Sequence, residues 1–136
     1  MMRKIEHIGI AVKDLTASNQ LFEDILGVAP YKQELVESEH VITSFFQVGE
    51  SKIELLQATS PDSAIAKYLE KNKEGIHHIA FDVENIYAEI ERLKEKGYTL
   101  IHETPKAGAD GKIIAFLHPK SSNGVLIELC QDHPTV

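Results

Sequence analysis

The chain has 136 residues, 43% hydrophobic and 26% charged, with a formal net charge of −7. That length bounds it to one compact unit or two small halves sharing a core, and the acidic balance argues against nucleic acid, whose phosphates need basic clusters. A lone cysteine, Cys130, excludes an internal disulfide, and no apolar run approaches the roughly 20 residues of a membrane span.

Residues 5–12 alternate as a strand, with Ile8, Ile10 and Val12 on one face and His7, Gly9 and Ala11 on the other. The bulky face calls for a helix over it. The other face is small apart from its histidine. Asp14 or Thr16 then caps a helix whose apolar positions Leu15, Leu21, Phe22, Ile25 and Leu26 read as a core-facing stripe, ended by Gly27. Residues 31–36 predict a strand, Glu37–His40 a turn, and 41–48 a β-branched and aromatic strand. Gly49-Glu50 turns into a strand over 52–56, with Ile53 and Leu55 on one face and Lys52, Glu54 and Leu56 on the other. Residues 59–75 read as a linker with a short helix carrying Ile65, Ala66 and Leu69.

The order then repeats. Strand 76–83 places His78, Ala80 and Asp82 on one face and His77, Ile79, Phe81 and Val83 on the other. Residues 86–96 predict a helix with Ile86, Ile90 and Leu93 inward, Glu89 and its charged neighbours outward, and Gly97 as the stop. Strands follow over 98–103, 113–117 and 125–129, with a glycine-containing loop at 105–112. The expected fold is α+β, with two tandem β-α-β-β-β modules related by a pseudo-two-fold axis and forming a curved sheet around a cleft. Its expected division is a single domain over 1–136: a first module at 4–58, a linker helix at 59–75 and a second module at 76–132.

The repeat is also legible residue by residue. Ile5-Glu6-His7-Ile8-Gly9-Ile10-Ala11-Val12 returns 71 residues later around His78, and Lys52-Ile53-Glu54-Leu55-Leu56-Gln57 returns 74 residues later as Leu126-Ile127-Glu128-Leu129-Cys130-Gln131. Each half therefore carries one histidine on its first strand and one glutamate on its last. Alone, each of these residues is more often a satisfied polar group than a ligand. A glutamate inside an apolar strand is costly unless paired, and here it occurs twice at matching places. Two imidazoles and two carboxylates without a thiolate suit a divalent first-row ion such as Co, Ni, Zn, Mn or Fe in an open, catalytic geometry. His7, Glu54, His78 and Glu128 are the candidate metal ligands. Cys130 reads as a small buried residue, and the other histidines fall in turns, at ends or on the helix-facing side.

These segments, with Ser60-Pro61-Asp62-Ser63, Pro105-Lys106-x-Gly108 and the run Phe116-Leu117-His118-Pro119-Lys120, resemble the vicinal-oxygen-chelate superfamily and, within it, the methylmalonyl-CoA epimerase family, from about residue 4 to 131. The resemblance implies epimerisation of (2R)- and (2S)-methylmalonyl-CoA through α-proton abstraction and a metal-stabilised enediolate. It implies a divalent cofactor, with Co2+ favoured and Mn2+, Ni2+ or Zn2+ as alternatives, and Glu128 as both ligand and proton carrier. Some members of the family carry Gln at the position of Glu54. Some place a second catalytic Glu on the strand matching 41–46, where this chain has Val-Ile-Thr-Ser-Phe-Phe; Glu37, Glu39, His40 or a water are the candidates for that role here. Lys106, Lys112, His118 and Lys120 are candidates for holding an acyl-CoA substrate. A homodimer, a cytoplasmic location, no membrane and no nucleic-acid partner complete the expectation. The runner-up activity is that of lactoylglutathione lyase, a glyoxalase sharing the ligand pattern. A metal-free small-molecule-binding module of the same fold is the alternative of a different class.

Overall fold

The computed structural model describes residues 1–133. Among them are eight strands and three helices in a mixed α+β arrangement. The chain divides into two units, one spanning His7–His77 and the other formed by Met1–Glu6 with the chain from His78 on. The division falls inside the first strand, β1 (Met2–Ala11), and inside the fifth, β5 (Gly75–Val83).

In the His7–His77 unit, β1 is followed by α1 (Leu15–Leu26), β2 (Lys32–Val36), β3 (Val41–Val48), β4 (Ser51–Ala58) and α2 (Ala64–Lys71). The strand order is β2-β3-β4-β1. β1 lies parallel to β4, and the other neighbours are antiparallel. A parallel pair needs a crossover, and α1 supplies it. Val12, Leu15, Phe46 and Leu55 form the core under α1, joined by Ile10, Phe22, Leu26, Ile42 and Ile53. That is the bulky face expected from strand parity. Asp14 caps α1 by accepting from the Ala17 N–H at 3.2 Å, and Gly27 closes it at φ 75°. The stripe on α1 is narrower than its spacing suggested. Leu21 and Ile25 are 54% and 64% exposed, because the helix turns Leu15, Phe22 and Leu26 toward the apolar core.

The other unit repeats the plan. After β5 come α3 (Ile86–Glu95), β6 (Lys106–Ala107), β7 (Lys112–Leu117) and β8 (Ile127–Asp132), in the order β5-β8-β7-β6. β5 is parallel to β8, and β8-β7-β6 are antiparallel. Its core holds Val83, Ile86, Ile90, Leu93, Leu100, Ile113, Ala115, Leu117 and Leu129. Asn85 caps α3 through the Ala88 N–H at 3.1 Å, as Asp14 caps α1. The repeated glutamines do matching work. Gln57 Oε1 accepts from the Leu15 N–H at 2.6 Å, and Gln131 Oε1 accepts from the Ile86 N–H at 2.7 Å. Each closing strand thus satisfies an orphan donor at the start of its module's helix.

Three expectations change here. Residues 98–103 do not form a strand: only Leu100 bridges, to Leu117, and the Thr99 N–H goes to Ser121 Oγ at 2.9 Å. The edge strand is Lys106–Ala107 instead. The last strand starts at Ile127 rather than 125, because Gly124 at φ 83° and the Val125 N–H bonded to Ser122 O keep that stretch in a turn. Glu89 is buried, at 3% exposure, rather than facing solvent. Its carboxylate meets Arg92 Nη2 at 3.0 Å and the Met1 ammonium at 2.9 Å. The hydrogen bond from Arg92 foremost, and the chain terminus after it, hold this carboxyl below the usual carboxylate range. No helix among the described residues is long and apolar enough to cross a membrane.

His77 sits edge-on to Tyr68 of α2, with ring centroids 5.1 Å apart, and burial lowers its pKa to about 4. The unfolded chain therefore takes up this proton near pH 6.5, while the folded chain resists it down to about 4. Its contribution is fully present above 6.5 and is lost as pH falls through that window. Melting temperature measured against pH should fall less steeply between 6.5 and 4 in His77→Phe than in the unaltered protein. Urea denaturation should find Gln57→Leu and Gln131→Leu each destabilised by about 1–2 kcal/mol, since each strands a helix N–H; a neutral result in either would remove that glutamine from the architecture.

Candidate metal centre

Strand register assembles one imidazole–carboxylate pair in each unit. Gly9 of β1 lies opposite Glu54 of β4. His7, two residues earlier on the same face, reaches across to bring Nδ1 within 3.1 Å of Glu54 Oε2. In the other unit Ala80 of β5 lies opposite Glu128 of β8, and His78 Nε2 stands 3.3 Å from Glu128 Oε1. The offset between histidine and glutamate is the same in both. A small residue, Gly9 or Ala80, stands beside each glutamate and leaves it room. All four side chains are buried.

The next strand adds a residue that sequence reasoning missed. Phe45 of β3 is opposite Glu54, and Phe116 of β7 is opposite Glu128. Each carboxylate is therefore flanked by a small residue on one side and a phenyl ring on the other. The His78 ring stands edge-on to Phe116 with centroids 5.7 Å apart, and His102 contacts the same ring at 5.8 Å. Lys32 Nζ lies 4.8 Å over the Phe45 ring. The signal was available, because the two phenylalanines repeat at the histidine's own 71-residue offset. Lys52, opposite His7 and buried, is a further polar group on that face.

The donor chemistry fits a divalent first-row ion. Neutral imidazole nitrogens and carboxylate oxygens are the borderline ligands such ions accept. Buried carboxylates at 3% and 4% exposure also call for a compensating positive charge. Cys130 shares the face of Glu128. It is fully buried with Sγ 3.5 Å from Phe81 O, and burial raises its pKa far above the ordinary thiol value.

The remaining candidates have the following local settings. Lys112 Nζ is engaged by Asp132 at 2.5 Å and lies 4.0 Å from Glu6. His118 Nδ1 accepts from the Lys120 N–H at 3.1 Å and so caps the short turn Pro119–Ser121. Lys120 is exposed on that turn, and Lys106 lies on the edge strand opposite Ile114. Glu37, Glu39 and His40 occupy the β2–β3 turn, His40 in the left-handed region at φ 53°.

Residues 6–116 match the family model of the Glyoxalase/Bleomycin resistance protein/Dioxygenase superfamily. The chain is 43% identical over 137 residues to the ethylmalonyl-CoA/methylmalonyl-CoA epimerase of Cereibacter sphaeroides, an alignment covering 96% of this chain and 99% of that protein. A solved structure of a variant of the Streptomyces coelicolor methylmalonyl-CoA epimerase, in complex with 2-nitronate-propionyl-CoA, is similar at a TM-score of 0.94 and 35% identity, covering 99% of this chain and 98% of that one. A second, a methylmalonyl-CoA epimerase in complex with methylmalonyl-CoA and NH4+, is similar at a TM-score of 0.92 and 36% identity, covering 97% of this chain and 96% of that one. The fold is accordingly the vicinal-oxygen-chelate fold, and the chain belongs to the glyoxalase/bleomycin resistance/dioxygenase superfamily and, within it, to the methylmalonyl-CoA epimerase family.

Proposed function

We propose that the chain is an isomerase of the racemase/epimerase class that interconverts (2R)- and (2S)-methylmalonyl-CoA. The observation that carries this reading is the pair of buried histidine–glutamate contacts at matching register in a chain 43% identical to an epimerase. In this reading His7, Glu54, His78 and Glu128 together hold one divalent ion, with cobalt first and manganese, nickel or zinc as alternatives. When bound, such an ion supplies Lewis-acid stabilisation of the negative charge that develops as the α-proton leaves.

The chain's own residues do the rest. The proton between a thioester and a carboxylate is acidified by the thioester. Glu128, an acceptor-only carboxylate when ionised, takes that proton from one face. A second acid, for which Glu37, Glu39, His40 or a water are the candidates, gives a proton to the opposite face; that yields the other epimer, with one proton taken and one returned. His7 and His78 orient the site and hold the carboxylates in place. Phe45 and Phe116 keep bulk water from the two glutamates and so raise the strength of every charge interaction there. Lys106, Lys120 and His118 are carried into the proposal as contacts to the acyl-CoA tail. Lys112 is the weaker candidate, being held by Asp132 and Glu6. The family expectation of a homodimer belongs to the same reading.

Incubation with one epimer of methylmalonyl-CoA in heavy water should give both racemisation and deuterium at the α-carbon. Neither would appear if the cleft only sequesters a ligand. Glu128→Gln should slow α-proton exchange by at least about 10³-fold if it carries the proton, on the scale of lost acid–base catalysis; exchange near the unaltered rate removes it from that role. His7→Ala and His78→Ala should each lose bound metal while keeping a cooperative melt. Full metal content in both would overturn the ligand assignment.

A further inference from the structure

The hydroxyl of Thr43 is a buried polar group that the fold leaves without a hydrogen bond. Thr43 lies on β3 between β2 and β4, opposite Leu56 and Glu34. It is 0% exposed, and its Oγ1 has no hydrogen-bond partner among the described residues. Most buried hydroxyls are paired, so an orphaned one calls for a reason. The strand's parity places it. Ile42 and Phe46 belong to the core under α1, and Ser44 bonds Gln33, which bonds Asn19 of α1. Val41, Thr43 and Phe45 therefore face the other way, onto the surface that carries His7 and Glu54. Phe45 is directly opposite Glu54, and Thr43 is its diagonal neighbour, within reach of a group held at that pair.

The other module supplies the control. Ile114 of β7 stands where Thr43 stands, opposite Cys130 as Thr43 is opposite Leu56. It packs in an apolar cluster with Ala80 and Cys130. The architecture is thus satisfied by a β-branched hydrocarbon at this place, and the hydroxyl answers no need of packing.

We propose that Thr43 is a substrate-contacting residue whose hydroxyl donates a hydrogen bond to a carboxylate or thioester oxygen of the acyl head. This rests on the epimerase reading above. The acyl head fits better than the nucleotide end, because Thr43 neighbours the His7–Glu54 pair and is neutral, whereas phosphates call for cations. A threonine hydroxyl does not shuttle protons at neutral pH, so its part is binding and orientation rather than acid–base work. Among the described residues no hydrogen bond fixes its proton, and rotation about the Cβ–Oγ1 bond alone aims the O–H toward an arriving oxygen while the stiff χ1 stays put.

Two readouts on the intact, metal-loaded protein test this. Thr43→Val keeps the shape and removes the orphan, so its melting temperature should rise by roughly 2–6 °C. Its kcat/KM for methylmalonyl-CoA should nonetheless fall about tenfold, mainly through KM, while Thr43→Ser stays within about threefold of the unaltered protein. A lower melting temperature in the valine variant would mean that a buried water or a protein group already uses the hydroxyl, and would overturn the proposal. A raised melting temperature with unchanged KM and kcat would also overturn it, leaving the epimerase reading intact. Absence of turnover by the unaltered protein would sink the epimerase reading, and this inference with it.

Discussion

A carboxylate taken out of water is the constraint around which each half of this chain is arranged. Glu54 and Glu128 sit inside otherwise apolar strands, and desolvating such a group costs several kcal/mol unless something meets it. Each unit meets it in the same way, with an imidazole on the parallel neighbouring strand, offset by two residues. In both units that neighbouring strand is parallel, and a parallel pair needs a crossover, to which α1 and α3 contribute. The helix in turn requires the bulky strand face beneath it. The imidazole–carboxylate pair, the helix and the core under it therefore share one register.

Duplication extends this beyond the ligands. The helix cap (Asp14, Asn85), the glutamine that closes each helix start (Gln57, Gln131) and the phenylalanine beside each glutamate (Phe45, Phe116) all recur. A substitution at any of these can be read against its counterpart. Where the modules part company, the difference carries chemical information. Thr43 against Ile114 is one such place. Lys52 against Leu126 is another, a buried lysine opposite His7 where the second module has a hydrocarbon.

The N-terminal segment shows how tertiary contacts rewrite a surface pattern. Glu89 has the spacing of a solvent-facing residue, yet the Met1 ammonium and Arg92 bury its carboxylate. Arg3 likewise donates to Asp82 at 2.7 Å. These contacts tie the first residues of β1 to the unit that begins at His78.

Strand parity and the internal repeat were enough to place His7, Glu54, His78 and Glu128 on strands and to assign their faces, because side chains alternate with a period of two and one register error would have buried the wrong set. The two helices expected at 15–26 and 86–96 were legible for the same kind of reason, through an apolar stripe and a closing glycine in each and a capping residue before the first; the Asn85 cap of the second emerged only from the fold. What the linear chain could not disclose was which apolar residues a helix would leave outside, as with Leu21 and Ile25, since that depends on the angle at which it meets the sheet. It also hid the short edge strand at Lys106–Ala107, the neighbour relation of the two phenylalanines to the two glutamates, and the empty hydrogen-bonding capacity of Thr43. Those are set by which strand lies beside which, and pairings between residues far apart in the chain exist only once it has folded.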